Sequence, residues 1–571
     1  MYLPKENNYE KKLPIGIEDF KEIIEKDCYY VDKTLFIKEL LDNSSKVRLF
    51  TRPRRFGKTL ALSMLRYYFE KEITVEGRAG YNSRLFRGLK ILDAGESYLS
   101  HMGQYPVISL SLKSAKQPSF EMAYASILDE LALEFDRHKS VLYSDELSED
   151  EKALFERFIK RQASEWENFK ALKFLSKCLQ KVYQKNAIIL LDEYDVPLEN
   201  AWFRGFYEQM TFFIRSLFES ALKTNPSLEF AVITGCLRIS KESIFTGLNN
   251  LEIISVLSSR YSEHFGFTVP EVGNMLHFYD IEEKKEEVKR WYDGYFFGNT
   301  EVYNPWSMIN YVNEAVSNIN SLPRPYWANT SSNGIIRDMI EHADNSIKLE
   351  LENLIAGECI EKPVHEDITY EEIHESEDNL WNFLFFTGYL KKVREHMQAD
   401  TVYITLAFPN AEVKYIYRNT IMEWFDGQIR LKDFSALYKA LLKKDIALIE
   451  RELSKSLMET VSFFDYKEDY YHGFTAGLVK MMEGYIVESN RESGMGRSDI
   501  IIRSAPYEGI AIIIETKVAD SYGQLEEKAF QALAQIEEKQ YDAGLRSEGY
   551  HTFIKYGIAF FKKLCRVHVN E

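Results

Sequence analysis

Two carboxylates and a lysine near the C-terminus have the residue types and spacing of a metal-dependent hydrolytic site. Asp499 begins one isoleucine-rich stretch, and a second such stretch ends in Glu515-Thr-Lys517. Two carboxylates hold a hard cation such as Mg²⁺ through oxygen, and a nearby lysine can orient water and offset charge on a phosphate. Metal-assisted phosphodiester cleavage requires these groups. The alternative is a solvated Glu–Lys ion pair, the commoner use of this spacing, although apolar flanks make an unpaired charge costly.

A small sheet must bring these three side chains together. A turn between Arg503 and Gly509 folds two strands side by side, so that Asp499 and Glu515 meet at one end of the sheet. Lys517 lies two residues beyond Glu515 and therefore projects from the same face. The elements that we expect in this region are a helix over 471–482, strands over 484–489, 497–503 and 510–517, a helix over 523–539, and a strand over 552–561.

A second group of residues, near the N-terminus, could hold the phosphates of a nucleotide. Val47–Thr51 predicts a short strand, and the loop Arg52–Gly57 leads into Lys58-Thr59 and a helical pattern. This is the context of a phosphate-binding loop, or P-loop, in which helix N–H groups and Lys58 hold phosphates and Thr59 reaches Mg²⁺. Arg52 stands where such loops usually have a glycine, so the chain must turn differently here.

Polar residues at the ends of later strands supply partners for this loop. An apolar run ends in Asp192 and Glu193, which in a P-loop ATPase aid Mg²⁺ and polarise the attacking water, and a further apolar run ends near Thr234. Together with Val47–Thr51 and 107–112 these runs favour a parallel α/β sheet, whose site residues lie at the carboxyl ends of its strands. The alternative for the Asp-Glu pair is a solvated acidic turn. The residues that we expect to bind the nucleotide are Arg54, Arg55, Phe56, Gly57, Lys58, Thr59, Leu60, Asp192, Thr234 and Arg238.

Three arginines near this loop each have two interpretations. Arg238 follows the strand that ends near Thr234, and it could reach the γ-phosphate or form a salt bridge with a neighbouring acid. Arg54 and Arg55 could contact phosphate or DNA, or they could pair with acids above the sheet. The sequence leaves these alternatives open.

Longer strings around both sites resemble one known family. Arg52-Pro-Arg-Arg-Phe-Gly-Lys-Thr59, Leu191-Asp-Glu-Tyr-Asp-Val-Pro197 and Thr234-Gly-Cys-Leu-Arg-Ile-Ser-Lys241 are similar to the AAA-ATPase-like domain of a bacterial family that joins it to a PD-(D/E)XK nuclease-like domain. Asn490-Arg-Glu-Ser-Gly-Met-Gly-Arg-Ser-Asp499 and Glu515-Thr-Lys517 resemble the nuclease-like half. The resemblance implies ATP binding, a nuclease-like fold, and an arginine as the family's usual residue at position 52.

The nuclease superfamily implies further site residues. It often adds a Gln or Tyr on the helix after the Glu-x-Lys strand, for which Gln531, Gln535 and Tyr541 are candidates and Gln535 is the best placed. It also often has an acid on its first helix. Glu483 and Glu492 are the nearest acids, and neither fits that position clearly.

The length of 571 residues predicts several domains. We expect an AAA-ATPase-like domain over 1–258, a helical lid over 259–340, a winged-helix-like linker over 341–458, and a nuclease-like domain over 459–571. The fold class is therefore α/β, with a P-loop parallel sheet, a helical and winged-helix-like middle, and a C-terminal restriction-endonuclease-like domain. A hydrophobic content of 45% supports large cores and argues against disorder.

Charge and composition limit the partners. A net charge of −17 argues against a protein that coats DNA, so any nucleic-acid contact must be local or bridged by Mg²⁺. The sequence has no long apolar run and no signal peptide, which predicts a cytoplasmic protein without a membrane span. Its five cysteines are scattered, which argues against a zinc site. We predict an ATPase that gates a Mg²⁺-dependent nuclease. DNA is the favoured substrate, and the protein could form a homo-oligomer. The alternatives are a nucleotide-switched binding protein with a silent nuclease-like domain, and an ATP-binding protein without turnover.

Overall fold

The computed structural model describes most of the chain, in two compact units. The described residues are 11–71, 81–237, 244–245, 250–327, 336, 345–366, 371–374, 376–420, 434–459, 468–480, 482, 484–493, 496–504 and 509–570. One unit is built from residues 1–331 and 361–414, and the other from 332–360 and 415–571. Each unit is described by itself below.

The first unit is organised around a five-stranded parallel sheet. Its strands are β1 (Val47–Thr51), β2 (Val107–Ser111), β3 (Ala187–Asp192), β4 (Leu228–Gly235) and β5 (Leu251–Ile254), in the order β2-β3-β4-β1-β5. All four strand pairs are parallel, so the carboxyl ends share one edge of the sheet. β1 and β3 are buried along their whole length, as expected of a sheet that is covered on both faces. Four of these strands were predicted, and β5 adds a fifth.

Some of the helices before and between these strands begin at side chains that cap them. The Ser119 side chain accepts a hydrogen bond from the Met122 N–H, and Ser148 forms a capping box with Glu151. The helices of this region are Phe20–Glu25, Leu35–Leu41, Lys58–Phe69, Glu96–Leu99, Phe120–Arg137, Glu149–Ile159, Glu165–Asn168, Ala171–Tyr183, Val196–Arg204 and Tyr207–Leu222.

Residues 250–327 hold three helices and a small antiparallel sheet. The strands are β6 (Phe267–Thr268), β7 (Tyr295–Phe297) and β8 (Thr300–Tyr303), in the order β6-β8-β7. The helices are Val269–Phe278, Lys285–Tyr292 and Pro305–Ser317. The sequence-based prediction of a helical lid here included the helices and omitted the sheet. The core of this region includes four buried tyrosines and a phenylalanine, so these aromatic residues serve packing.

A helix and a β-hairpin follow in the region for which the sequence predicts a winged-helix-like module, and that module stays a prediction. β9 (Ile360–Pro363), helix Glu377–Phe386, β10 (Lys391–Gln398) and β11 (Thr401–Ala407) form this part, with the strands in the order β10-β11-β9. Every residue from Leu380 to Phe386 is buried. A helix that reads DNA must expose one face to the groove, so this helix serves packing.

The second unit contains a five-stranded mixed sheet between two helical layers. Its strands, in spatial order, are β12 (Tyr485–Ser493), β13 (Gly496–Ser504), β14 (Ile510–Val518), β15 (Thr552–Phe561) and β16 (Leu564–Val569). β14 and β15 are parallel, and the other pairs are antiparallel. The helices are Asn345–Ala356, 411–420 (shared with the end of the first unit), Ser435–Lys443, Ile446–Glu459, Glu468–Val479, Leu525–Glu538 and Ala543–Ser547.

Alternating isoleucines fix which face each strand residue occupies. Ile500, Ile502, Ile512 and Ile514 pack with the helices that precede β12. Ile501 and Ile513 pack on the opposite side, against the helix Leu525–Glu538. The helix-strand-strand-strand-helix-strand order was predicted, and β16 is an addition at the edge of the sheet.

Candidate nucleotide and metal sites

The loop Arg52–Gly57, predicted to bind phosphate, turns through two left-handed residues. Arg55 has φ 69° and Gly57 has φ 85°, and helix Lys58–Phe69 begins directly after them. Gly57 has no side chain to cap the first turn, whose N–H groups lack intrahelical partners and favour an anion. The loop therefore keeps the geometry of an anion site although its first position is Arg52.

Arg52 anchors this loop in the protein core. Its side chain is fully buried, and Nη1 donates to the carbonyl oxygens of Thr51 and Ile254 at 2.9 Å each. The guanidinium lies over the Phe297 ring at 4.7 Å and near the Phe265 ring at 5.4 Å. Burial lowers the pKa of Arg52 to about 9. The residue thus ties β1 to β5, and this explains how the loop is held without the usual glycine.

Lys58 is folded onto its own loop. Nζ donates to the carbonyl oxygens of Arg52 and Pro53, both at 2.9 Å, and lies 3.6 Å from the Cys236 sulfur. A phosphate oxygen would compete with these two carbonyls for the ammonium.

Pro53 also touches a distant turn, because a Cβ atom added at Gly388 would lie 2.7 Å from the Pro53 Cβ.

Asp192 forms hydrogen bonds with two other predicted site residues. The Thr59 hydroxyl donates to Asp192 Oδ2 at 2.6 Å, and the Thr234 hydroxyl donates to Oδ1. The three residues come from the P-loop helix and the carboxyl ends of β3 and β4, as the parallel sheet requires. A hydroxyl beside a carboxylate fits Mg²⁺, which usually takes few protein ligands and completes its shell with water and substrate phosphate.

Glu193 follows Asp192 in a left-handed conformation with φ 53°. Burial raises the pKa of Glu193, the negative charge of Asp192 raises it further, and the Lys58 ammonium opposes this shift. A raised carboxyl pKa moves the group toward the range that suits a general base. The role of Glu193 in polarising the attacking water stays a prediction.

The remaining loop residues divide between packing and pairing. Arg54 forms a salt bridge with Glu199, and the Arg55 guanidinium lies over the Trp306 ring at 4.5 Å. The Phe56 ring is buried beside Tyr295 and Phe297, so it serves packing. Arg238 lies outside the described residues.

An apolar cavity beside the loop was not predicted from the sequence. It has a volume of about 80 Å³, and Gly57, Leu60 and Met64 form the wall next to the phosphate-binding helix. The opposite walls are lined by Tyr29, Tyr30, Val31, His264, Phe267 and Ile309. The cavity is mostly apolar, and its volume is below the roughly 300–1,000 Å³ of typical ligand pockets. The wall residues are far apart in the sequence, and the aromatic pair before Asp32 was the one available signal.

In the second unit, Asp499 and Glu515 meet where two strands separate. The β13–β14 ladder ends at the pair Ile500–Ile514, and the Asp499 carboxylate lies next to the following residues of β14. Asp499 Oδ2 accepts hydrogen bonds from Thr516 N at 2.7 Å and from Thr516 Oγ1 at 2.6 Å. The Asp499 N–H lies 3.4 Å from Glu515 Oε2. The two acids are therefore adjacent, as predicted.

Gln535 connects the other two predicted residues. Its Oε1 accepts a hydrogen bond from Lys517 Nζ at 2.7 Å, and its Nε2 donates to Glu515 Oε1 and lies 3.2 Å from the Tyr541 hydroxyl. Gln531 instead donates to Glu527 on the surface of the helix. Among the three candidates, Gln535 is the one that reaches both Glu515 and Lys517.

His472 is a neighbour of this site that the sequence analysis missed. It lies on helix Glu468–Val479, and its Nε2 is 2.9 Å from the Asp499 carbonyl oxygen and 2.9 Å from Ser489 Oγ. Glu483 lies outside the described residues, as does the side chain of Glu492. The superfamily pattern predicts an acid on the first helix, and the residue of that helix that contacts Asp499 is instead a histidine.

The donor set at Asp499 and Glu515 fits a hard divalent cation. Both ligands are carboxylates, and Lys517 is near enough to share Gln535 with Glu515. Among the described residues there is no group of three or more His, Cys, Asp or Glu side chains that could hold a metal. A cation at this site would thus complete its shell with water and phosphate oxygens, as Mg²⁺ does.

Comparisons with known proteins match both ends of the chain. Residues 14–245 match the family described as a predicted AAA-ATPase, and residues 466–570 match the PD-(D/E)XK nuclease superfamily. Over 563 residues the chain is 26% identical to a protein of Azotobacter chroococcum mcd 1 named "Uncharacterized protein in vnfD 5'region", with 94% of each chain covered. In the part of the chain that the structure describes, every helix is too short or too polar to cross a bilayer. The chain therefore carries an AAA-ATPase-like domain at residues 14–245 and a PD-(D/E)XK nuclease superfamily domain at residues 466–570.

Proposed function

We propose that the protein binds and hydrolyses ATP at its N-terminal site, and that this cycle gates a Mg²⁺-dependent nuclease at its C-terminal site. The observation that carries the proposal is that each site combines its own acidic side chains with its own lysine, whose ammonium group can contact a phosphate. In the first site Asp192 accepts the hydroxyl of Thr59, which follows Lys58 in the chain. In the second site the Asp499 N–H lies 3.4 Å from Glu515 Oε2, and Gln535 links Glu515 to Lys517.

At the N-terminal site, the residues divide the work on a nucleoside triphosphate. Lys58 exchanges its two loop carbonyls for the β- and γ-phosphates, and the helix N–H groups after Gly57 hold phosphate oxygens. Thr59 and Asp192 would hold Mg²⁺, which neutralises charge on the transferred phosphoryl group. Glu193 orients the attacking water and accepts its proton.

At the C-terminal site, the residues divide the work on a phosphodiester in a similar way. Asp499 and Glu515 would hold Mg²⁺, which supplies Lewis-acid polarisation of the phosphate and a more acidic bound water. Lys517 orients the attacking water and offsets charge on the phosphate in the transition state. Gln535 keeps Lys517 and Glu515 at a fixed separation.

Nucleic acid is the substrate class that this site suits, and we favour DNA. The net charge of −17 opposes broad electrostatic binding, so contact must be confined to the neighbourhood of the metal. A cytoplasmic location and a homo-oligomer stay predictions from the sequence.

Nucleotide binding is tested with Lys58→Ala. Titration of a fluorescent ATP analogue should show affinity reduced at least about 10-fold, because a charge-assisted phosphate contact is worth roughly 1.5–3 kcal/mol. Lys223→Ala, which removes an exposed lysine at a helix end, is the matched control and should bind as the wild type does. Equal affinity of Lys58→Ala and wild type would refute the assigned loop.

Cleavage is tested with Glu515→Gln and Mg²⁺ or Mn²⁺. The wild-type protein should cut DNA only with metal, and Glu515→Gln should lose this activity, whereas Glu538→Gln at an exposed position of the neighbouring helix should keep it. Gating requires that ATP change the cleavage rate of wild type and leave that of Lys58→Ala unchanged. Equal cleavage by Glu515→Gln and wild type would remove this site from the mechanism.

A second candidate function is a nucleotide-switched binding protein with a silent nuclease-like domain. It is favoured by the internal pairing of the C-terminal site, where Thr516 binds Asp499 and Gln535 binds both Glu515 and Lys517. Calorimetry distinguishes the two: a silent domain takes up neither Mg²⁺ nor Mn²⁺, and a nuclease takes up one or both.

A further inference from the structure

The Asp499 carboxylate occupies an unusual place in the sheet. β13 and β14 are paired from Arg503–Ala511 to Ile500–Ile514, and the pairing stops one residue short of Asp499. The Asp499 side chain then accepts the main-chain N–H of Thr516 at 2.7 Å. The carboxylate thus satisfies a strand N–H that the ladder leaves without a partner.

Thr516, the middle residue of the Glu-x-Lys motif, adds a second donor to the same oxygen. Its Oγ1 lies 2.6 Å from Asp499 Oδ2, and its side chain is fully buried. Strand alternation directs Thr516 to the opposite face from Glu515 and Lys517. Its hydroxyl nevertheless reaches the Asp499 carboxylate, because the β13–β14 ladder has ended at Ile500 and the Asp499 side chain lies beside Thr516 there.

The two oxygens of Asp499 differ as a result. Oδ2 has two short hydrogen bonds from one residue, whereas Oδ1 accepts none from the residues that the structure describes. We propose that Thr516 is a positioning residue, which commits one Asp499 oxygen to the strand and presents the other to a divalent cation. This inference rests on the proposed metal-dependent nuclease.

The hydroxyl is the part of Thr516 that can be removed cleanly. Thr516→Val keeps the shape and the main-chain hydrogen bond, and it lets the carboxylate rotate because Oδ2 loses one donor. Loss of a hydrogen bond that orients a metal ligand typically costs about 10–100-fold in metal affinity. Thr516→Ser restores the hydroxyl and should restore the affinity.

The test is calorimetric titration of the full-length protein with Mn²⁺, without nucleotide. Asp499→Asn removes the ligand itself, so the binding heat that this variant lacks relative to wild type belongs to this site. We expect Thr516→Val to bind Mn²⁺ about 10–100-fold more weakly than wild type, and Thr516→Ser to bind within about 3-fold of it. The Mn²⁺ concentration for half-maximal DNA cleavage should rise in parallel in Thr516→Val. Thr516→Ala replaces Thr516→Val if the latter does not fold.

The outcomes separate the inference from the function on which it rests. Equal Mn²⁺ affinity in Thr516→Val and wild type, with binding lost in Asp499→Asn, would overturn the role of Thr516 and leave the metal site intact. A loss in Thr516→Ser as large as in Thr516→Val would also overturn it, because the hydroxyl would then be irrelevant. No Mn²⁺ binding by wild type would overturn the proposed nuclease and this inference together.

Discussion

Gly557 is a position at which one added methyl group should dismantle the C-terminal site. It lies in β15 opposite Glu515, and helix Leu525–Glu538 passes directly over it. A Cβ atom at this position would be 2.2 Å from the Ala529 carbonyl oxygen and 2.3 Å from the Leu533 nitrogen. Both atoms belong to the helix backbone, so the helix itself must move to accept the side chain.

The displacement can be estimated from these contacts. Ordinary van der Waals contact begins near 3.4 Å, so the helix must retreat by roughly 1 Å. Gln535 travels with this helix, and its 2.7 Å hydrogen bond to Lys517 would lengthen beyond hydrogen-bonding range. Overpacking of this kind costs about 1–3 kcal/mol of stability, and a 1 Å misplacement of site residues costs about 10²-fold in rate.

The assay compares Gly557→Ala with Gly473→Ala. Gly473 is an exposed helix position in the same domain, and a Cβ atom there meets nothing within 4 Å. Denaturant unfolding should show Gly557→Ala destabilised, and Gly473→Ala unchanged or stabilised by up to about 1 kcal/mol, because alanine favours helix. Metal-dependent cleavage should fall only in Gly557→Ala. If Gly557→Ala matched the control in both stability and cleavage, the tight seating of the helix, and the reasoning from it, would be refuted.

Two further predictions concern the first unit. Glu412 is buried, accepts Ser307 Oγ at 3.0 and 2.8 Å, and has its pKa raised to about 7 by burial. Because this pKa is raised, Glu412 contributes stability that is present below about pH 4.5 and is lost as the pH rises through 7, by up to about 3 kcal/mol. Glu412→Gln should therefore flatten the dependence of the unfolding midpoint on pH over this range. Identical pH profiles of Glu412→Gln and wild type would contradict the burial argument. Arg52→Gly, which restores the usual glycine of a phosphate-binding loop, should destabilise the protein by about 3–5 kcal/mol, because it empties a packed core position between two aromatic rings; an unchanged denaturant midpoint would show that Arg52 is not an anchor.

Local spacing explains why much of the C-terminal site could be predicted. Glu515 and Lys517 share a face because strand alternation has a period of two, and a short turn places Asp499 opposite Glu515. The same holds for Gln535, because the helix follows the strand after a short connection. Thr516 was overlooked because its role depends on how one carboxylate rotates where the strands separate.

Features that depend on long-range packing were harder to predict. The cavity beside Leu60 is assembled from segments that are more than 200 residues apart, so its shape is not encoded in any one string. β5 has four residues and β16 has six alternating ones, and both lie at sheet edges where the apolar signal is weak. The internal pairing of Lys58 with its loop carbonyls likewise has no sequence signature.

The contact between Pro53 and the turn at Gly388 has a thermodynamic consequence. The Pro53 carbonyl accepts a hydrogen bond from Lys58, and its ring lies against the turn that leads from helix Glu377–Phe386 into β10. A phosphate that withdraws Lys58 therefore alters the residue on which this turn rests. If the loop binds ATP as proposed, linkage is reciprocal: a ligand of the β10–β11 hairpin that changes ATP affinity has its own affinity changed by ATP by the same factor.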